Sequence, residues 1–301
     1  SGVSALTIGS AINTGNITLN SNLAVAGPIN VLGGNISLSG GLTSTNASAG
    51  NVTLLGNLSG NGSIILTTNQ TLAITQNGTS NYSGVVSGNG ASLVTNGSGT
   101  LILTGANTYN GTTTISSGTL QIGSASTPAN GSIANTSNIV NNGTLVFDNA
   151  ANYTTTVVAA ISGTGNLTQM GPNSTVVLTN SGNNYSGNTN INNGTLVLAG
   201  GALGSGITTV ANGTTLQIGN GSVSGALPAS GTLVLNGTLA FDQANGTTTT
   251  VNQNISGTGG LTQSGTNSTV QLTGTNTYSG VTNVSSGAIV FTNNATPSTS
   301  G

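Results

Sequence analysis

The chain repeats one strand-and-turn pattern, and this repetition limits it to a stacked fold. Residues 97–123 read GSGTLILTGANTYNGTTTISSGTLQIG, and related sequences return over residues 174–200 and 268–291. Each copy of this long repeat holds short runs of Val, Ile and Leu that alternate with polar residues and end at glycine, a pattern that predicts β-strands. A short unit recurring within one chain is typical of solenoids, in which each repeat packs on its neighbours.

A shorter motif fills the first part of the chain. Gly-Asn-apolar-Ser/Thr-Leu begins at Gly15, Gly34 and Gly50. Its alternation places the apolar side chains on one face and the polar side chains on the other. The intervals between copies are too short for a pair of helices and suit one β-helix coil each, with equivalent strands stacked about 4.8 Å apart. We therefore expect an all-β chain in which residues 1–301 form one continuous parallel β-solenoid.

A longer cycle is present in the second half. Residues 143–148 return at 237–242 and residues 161–169 at 255–263, both with an offset of 94 residues. The interval between the first two long repeats is shorter, and the segment 206–219 makes up the difference. A solenoid accepts an additional coil because each coil touches only its neighbours. We expect residues 206–219 to contribute such a coil.

The long repeats from Ser87 onward resemble the passenger-associated repeats of bacterial autotransporters. The resemblance rests on Ser87-Gly-Asn-Gly, on Leu103-Thr-Gly-Ala-Asn-Thr-Tyr109, and on the matching residues around Tyr185 and Tyr278. Residues 81–301 are similar to those repeats, and residues 1–80 are similar to haemagglutinin-type β-helix repeats. The resemblance implies a right-handed parallel β-helix that is exported and displayed outside the cell.

The composition excludes several classes of partner. The chain has no Lys, Arg, His, Cys or Trp and only two acidic residues, for a net charge of −2. Binding to nucleic acid or to an anionic membrane depends on Lys and Arg, so neither partner is expected. No apolar stretch approaches the roughly 20 residues of a membrane helix. No signal segment follows Ser1, so we expect the start of a longer precursor to be missing.

The same inventory predicts a protein without catalytic activity. Asp148 and Asp242 stand 94 residues apart, about 22 Å along a solenoid of this period, which is too far for a pair of acids to act on one glycosidic bond. Both are expected to cap turns through local hydrogen bonds. No His, Lys or Cys is present to activate a serine or threonine, and no residue set suits a metal or another cofactor.

Aromatic residues recur at the turns of the repeats. One reading of these tyrosines is a spaced row that stacks with sugars, and the other is a corner residue folded over the coil beneath, with its hydroxyl in water. The second reading is favoured. The residues concerned are Tyr82, Tyr109, Tyr185 and Tyr278.

Asn-x-Ser/Thr triplets are dense, and turn chemistry explains those that read Asn-Gly-Ser/Thr. Glycans on the others would supply the solubility that charge normally gives, which makes the chain a possible glycoprotein. The candidate acceptors are Asn16, Asn35, Asn51, Asn166 and Asn254.

These observations predict a non-enzymatic, extracellular, structural or adhesive solenoid: a cell-surface stalk, a fibre or an element of a biofilm matrix. Host or neighbouring cell surfaces and glycans are possible partners. The alternative is the subunit of a filament that joins end to end, because open solenoid ends expose unpaired backbone. A third reading is ligand or ice binding by threonine rows such as 112–114 and 247–250.

Overall fold

The computed structural model describes residues 3–46 and 50–292, in which all regular structure is β-strand. Over these ranges there is no helix of the length and hydropathy needed to cross a membrane. The chain divides into two compact units, Ser1–Ala150 and Ala151–Gly301. Every pairing between the strands of one unit described below is parallel, as expected for a solenoid.

The first unit stacks its strands into three parallel ladders. Ladder A contains β1, the first half of β4, the first half of β6, β8, β11, β13 and β15. Ladder B contains β2, the second halves of β4 and β6, β9, β12, β14 and β16. Ladder C contains β3, β5, β7 and β10. The strands are β1 Leu6–Gly9, β2 Asn16–Leu19, β3 Leu23–Val25, β4 Ile29–Leu38, β5 Leu42–Ser44, β6 Val52–Gly60, β7 Ile64–Ile65, β8 Thr71–Thr75, β9 Thr79–Tyr82, β10 Val86–Ser87, β11 Ser92–Asn96, β12 Thr100–Leu103, β13 Thr112–Ile115, β14 Thr119–Ile122, β15 Asn138–Asn141 and β16 Thr144–Phe147.

The short motif does not mark the same side of every coil. Asn16 pairs with Asn35, as the first two copies predict, but Asn35 then pairs with Asn57. The third copy lies on ladder A, where Val52 pairs with Ile29. The expected coil interval between Gly34 and Gly50 is therefore wrong. The reason is that Gly-Asn suits the entry to a strand on more than one side of the coil, so similar residues recur within a single turn.

The second unit is built in the same way. Ladder D contains β17, β20, β22, β24, β26, β29 and β31. Ladder E contains β19, β21, β23, β25 and β28, and ladder F contains β27, β30 and β32. The strands are β17 Thr154–Val157, β18 Ala160–Ser162, β19 Asn166–Gln169, β20 Thr175–Leu178, β21 Thr189–Ile191, β22 Thr195–Leu198, β23 Thr208–Val210, β24 Thr215–Ile218, β25 Thr232–Leu235, β26 Thr238–Phe241, β27 Thr248–Val251, β28 Asn254–Ser256, β29 Gly260–Gln263, β30 Thr269–Leu272, β31 Thr282–Val284 and β32 Ala288–Phe291.

The additional segment 206–219 forms part of a coil, as predicted. Its strand β23 pairs with β21 on one side and β25 on the other. Its strand β24 is placed in the same way between β22 and β26. The neighbouring coils therefore keep continuous ladders around the inserted one.

The core is a column of aliphatic side chains at alternate strand positions. Their alternation with polar residues at matching repeat positions predicts that nine side chains point inward, and eight of them are at most 1% exposed. They are Leu103, Ile115, Leu120, Ile122, Leu178, Ile191, Leu196 and Leu272. The ninth, Val284, is 47% exposed, so the prediction is wrong there. It lies on β31, and no strand in the described part of the chain stacks on the open side of β31.

Candidate functional site

Three corners of the solenoid share a buried Asn-x-Tyr-x-x-x-Thr motif. In the first copy, the Asn107 Oδ1 accepts a hydrogen bond from the amide of Val86 at 2.9 Å, and its Nδ2 donates to the carbonyl of Ser132 at 3.1 Å. Asn107 therefore joins a coil to the coils on both sides. In the second copy, Asn183 accepts from the Ile161 amide at 2.8 Å and donates to the Ala202 carbonyl at 2.8 Å.

The tyrosines of this motif are buried with their hydroxyls. Tyr109, Tyr185 and Tyr278 are at most 1% exposed. Their hydroxyls lie 2.8, 2.6 and 2.7 Å from the Oγ1 atoms of the threonines four residues later, which are Thr113, Thr189 and Thr282. The expectation of a hydroxyl in water is wrong, because the following threonine supplies a partner inside the coil. The buried rings are also out of reach of a stacking sugar.

Tyr82 belongs to a different kind of corner. It lies on β9, is fully buried, and donates its hydroxyl hydrogen to the carbonyl of Gly62 in the preceding coil. Burial raises the pKa of all four tyrosine hydroxyls above the ordinary value. The phenols therefore stay protonated and act as neutral hydrogen-bonding groups at every physiological pH.

Two buried glutamines fix a second recurring turn. The Gln169 Nε2 donates to the Ser174 Oγ at 2.9 Å, and the Gln263 Nε2 donates to the Ser268 Oγ at 2.7 Å. Each serine hydroxyl in turn donates to the glycine carbonyl three residues before it, at 2.9 Å in both copies. The sequence signal is the repeated Gln-x-Gly-x-Asn-Ser, which begins at the last residue of the matching segments 161–169 and 255–263.

Exposed asparagines also join successive coils. The five candidate glycosylation sites are exposed, and the Oδ1 of each accepts a hydrogen bond from the next coil. Asn16, Asn35 and Asn57 form a side-chain ladder, with Nδ2-to-Oδ1 distances of 2.8 and 3.2 Å. Asn51, Asn166 and Asn254 instead accept from the backbone amides of Thr71, Asn188 and Thr275. Glycosylation stays a prediction, and at Asn35 it would compete with the bond that Nδ2 makes.

The two acidic residues lie one in each unit, and both are half-buried. The Asp148 Oδ2 accepts hydrogen bonds from the Gln121 Nε2 at 3.1 Å and from the amide of Ala125 at 3.3 Å, both in the preceding coil. Its contacts thus reach across coils rather than into its own turn. Desolvation raises the pKa of the Asp148 carboxyl, while the Ala125 amide acts in the opposite direction. The backbone carbonyl of Asp242 accepts from the Gly221 amide at 2.6 Å.

The threonine row at residues 112–114 does not form a flat surface. Thr113, in the middle of residues 112–114, is fully buried, and its hydroxyl lies 2.9 Å from that of Thr136. Alternation along a strand turns every second side chain inward, which explains the difference from expectation.

Continuous threonine columns run instead across the coils. Ladder D stacks threonines in register over five successive strands: Thr154, Thr175, Thr195, Thr215 and Thr238. Ladder B holds a shorter column, made of Thr79, Thr100, Thr119 and Thr144. All of these side chains are exposed or half-buried. The signal that could have found them is the threonine at the start of each strand, which follows glycine or serine in seven of the nine strands.

The described residues contain no group of three or more His, Cys, Asp or Glu side chains that could hold a metal ion.

Comparison with known proteins agrees with this architecture. The family model of the passenger-associated-transport repeat matches residues 93–122, 173–198 and 261–291. These ranges include all three copies of the Asn-Tyr-Thr corner. The chain carries autotransporter passenger repeats. The resemblance of the long repeats to autotransporter passenger repeats is thus confirmed, and the likeness of residues 1–80 to haemagglutinin-type repeats stays a prediction.

One curated protein is similar over a longer range. The adhesin BmaC autotransporter of Brucella suis biovar 1 (strain 1330) is 39% identical over 170 residues, which cover 56% of this chain. The chain spans 4% of the length of that relative. No solved structure matches the chain. Passenger domains with such repeats are secreted to the cell surface, so this solenoid is extracellular.

Proposed function

We propose that the chain is a non-enzymatic stalk segment of a surface-displayed adhesin. The observation that carries this proposal is the joining of successive coils by neutral side chains. Asn107, Asn183 and the ladder that begins at Asn16 all hydrogen-bond across coils. A stalk outside the cell meets changing salt and pH, and interactions between neutral groups are little affected by either.

The proposal assigns no catalytic step to either unit. The carboxylate of Asp148 is occupied by two hydrogen bonds to its neighbours, and the second carboxylate, that of Asp242, lies in the other unit. The chain has no His, Lys or Cys to activate a hydroxyl nucleophile. The role that these features support is mechanical.

The adhesive element of this proposal is the threonine column of ladder D. Its five hydroxyl-bearing side chains repeat at the strand spacing of about 4.8 Å. Beside it, the half-buried Val177 on β20 adds apolar surface without charge. A neutral polymer such as a polysaccharide on a host or neighbouring cell fits this surface better than a charged partner. Nucleic acid and anionic membranes do not fit, because the chain has no cation.

Binding of the purified chain to immobilised neutral polysaccharides tests this assignment. Replacing Thr175, Thr195 and Thr215 together by valine removes three stacked hydroxyls while keeping β-branched side chains of similar shape. We expect the triple variant to keep its fold and lose most of its binding. The control makes the same replacement by valine at Thr53 and Thr114 on ladder A. The outward column of that ladder is interrupted by Ala73 and Val94. Equal binding by the wild type and the triple variant would remove the column from the proposal.

A second candidate is a filament of chains joined end to end, and the last described strands favour it. Val281, Val284, Val290 and Phe291 are 38–65% exposed. Within the described residues, β31 and β32 each pair on one side only, and a parallel edge of this kind can accept another strand.

Sedimentation at several concentrations tests self-association. Filament assembly predicts species that grow with concentration, and replacing Val284 and Phe291 by aspartate should abolish them without unfolding the chain. A wild-type chain that stays monomeric at every concentration tested would exclude the filament and leave the single stalk.

A further inference from the structure

A groove of about 210 Å³ opens in the first unit, at the corner where the chain passes from ladder A to ladder B. It spans four successive coils. Gly33, Gly34 and Gly56 line its middle, Ala11 lines it in the preceding coil, and residues 75–78 line it in the following coil. It is smaller than a drug-sized pocket, which is typically about 300–1,000 Å³, and much larger than the site of one water molecule.

Backbone geometry keeps the middle of the groove free of side chains. The strands β4 and β6 run through the corner without a break, and their register shifts between Leu32 and Asn35. A Cβ atom on Gly56 would lie 2.1 Å from the carbonyl oxygen of Gly33, and Gly56 has a φ of +139°. Only glycine fits there, because an added Cβ would overlap the neighbouring strand. The bare corner is therefore a built feature of the coil stack.

A buried amide without a partner lines the same groove. Gln76 is 3% exposed, and its Oε1 has no hydrogen-bond partner among the described residues. The Oε1 atoms of Gln169 and Gln263 are unpaired as well, but the Nε2 of each donates to a serine hydroxyl, and the side chain of Gln76 makes no such bond among the described residues. Buried amides in native proteins are normally hydrogen-bonded, so an unpaired one beside a cavity indicates a missing partner. A ligand with hydroxyl groups would supply it.

The chemistry of the lining defines the class of ligand. Asn57, Asn77 and Thr75 add amide and hydroxyl groups, and Leu55 adds an apolar patch. No charged residue lines the groove. We propose that this corner binds one neutral, polyhydroxylated ring of the size of a single sugar unit. The proposal goes beyond the stalk and its threonine column, and it holds or fails independently of both.

The test is a titration of the full chain, followed by nuclear magnetic resonance, with four probes: the methyl glycosides of glucose, galactose, mannose and N-acetylglucosamine. At least one probe should give saturable shifts at the amides of Gly33, Gly34, Gly56 and Gly78, with none in the second unit. Glucuronic acid and glucosamine, which are charged, should bind more weakly than their neutral counterparts. The absence of saturable shifts at these four glycines with all four neutral probes would overturn the proposal.

Two variants separate binding from folding. Gln76→Leu removes the unpaired amide at similar volume, so it should weaken binding by about fivefold to tenfold without lowering the unfolding midpoint. Ala11→Trp, at an exposed position on the lining, should block the groove. Ile12→Trp is its matched control, because Ile12 is 91% exposed and does not line the groove. Unchanged affinity in Gln76→Leu, or equal loss in the two tryptophan variants, would contradict the assignment.

Discussion

At the scale of single residues, the solenoid replaces charge by buried amides and phenols. Each Asn-Tyr-Thr corner places a tyrosine hydroxyl against a threonine hydroxyl, as in the 2.6 Å contact of Tyr185 with Thr189. In two of the corners the asparagine side chain hydrogen-bonds to backbone groups of the neighbouring coils. Such pairs contribute modestly when they are made, but their loss leaves buried backbone groups unpaired, which costs more.

The two corner asparagines of the second unit should therefore contribute differently to the free energy of unfolding. Asn183→Ala would leave the Ile161 amide and the Ala202 carbonyl without their partner, and we expect a loss of about 2–4 kcal/mol in the free energy of unfolding. Asn276→Ala is the matched comparison, because the Oδ1 of Asn276 has no hydrogen-bond partner among the described residues. Its loss should be about 1 kcal/mol. Urea unfolding of both variants measures the difference, and equal losses would contradict the role given to Asn183.

The positions of these corners could be predicted from the sequence, but the hydrogen bonds of their tyrosine hydroxyls could not. Period and glycine spacing were enough to place Tyr109, Tyr185 and Tyr278 at equivalent turns. The burial of their hydroxyls depends on Thr113, Thr189 and Thr282, and pairing of residues four apart in a loop is not encoded by strand or helix periodicity. The groove beside Gln76 could not be predicted from the sequence either, because it depends on a register shift in β4 and β6.

At the scale of elements, the coil is the unit of construction. Thr195 pairs with Thr215 as Thr175 pairs with Thr195, so successive strands of ladder D are interchangeable in register. Alternation predicted the inward residues of these strands well, because stacking leaves apolar side chains no other place. It was wrong for Val284, whose exposure depends on whether another coil covers it and not on its position within the strand.

This interchangeability predicts that one coil can be removed. Excision of residues 195–214 joins Gly194 to Thr215 and sets β24 in the place of β22. We expect a folded, cooperatively unfolding chain of lower stability, because each coil adds one neighbour interface. Excision of residues 195–204 alone is the control, since half a coil breaks the register and should destroy cooperativity. Circular dichroism during urea unfolding distinguishes the two, and equal behaviour would refute coil-wise construction.

At the scale of the whole molecule, the scarcity of titrating groups governs the response to pH. Burial raises the pKa of Tyr82, Tyr109, Tyr185 and Tyr278 above 10.0, so the folded state holds these protons more tightly than the unfolded state. Their stabilising contribution is complete below pH 10 and is lost as the pH rises through the folded values. The pKa of Asp148 is also raised in the folded state. Its contribution to stability is therefore present in acid and is lost as the pH rises.

Stability should therefore be nearly constant from about pH 6 to pH 9, rise slightly on acidification, and fall above about pH 10. Added salt should have little effect, because the net charge is only −2 and no cation is present. Thermal unfolding from pH 3 to pH 12 checks this profile. A sharp change in the midpoint between pH 6 and pH 9 would show that a titrating partner outside the chain contributes.

The central claim, coil-by-coil parallel stacking, is tested most directly by a distance between two spin labels on one threonine column. The chain has no cysteine, so Thr154→Cys and Thr238→Cys provide unique attachment sites. Four coil steps separate these residues on ladder D, which places their Cα atoms about 19 Å apart. Moving the first label to Thr175 should shorten the distance by about 5 Å. A narrow distribution that changes by this step supports the stack, and a broad one near the roughly 50 Å of a flexible segment of this length would contradict it.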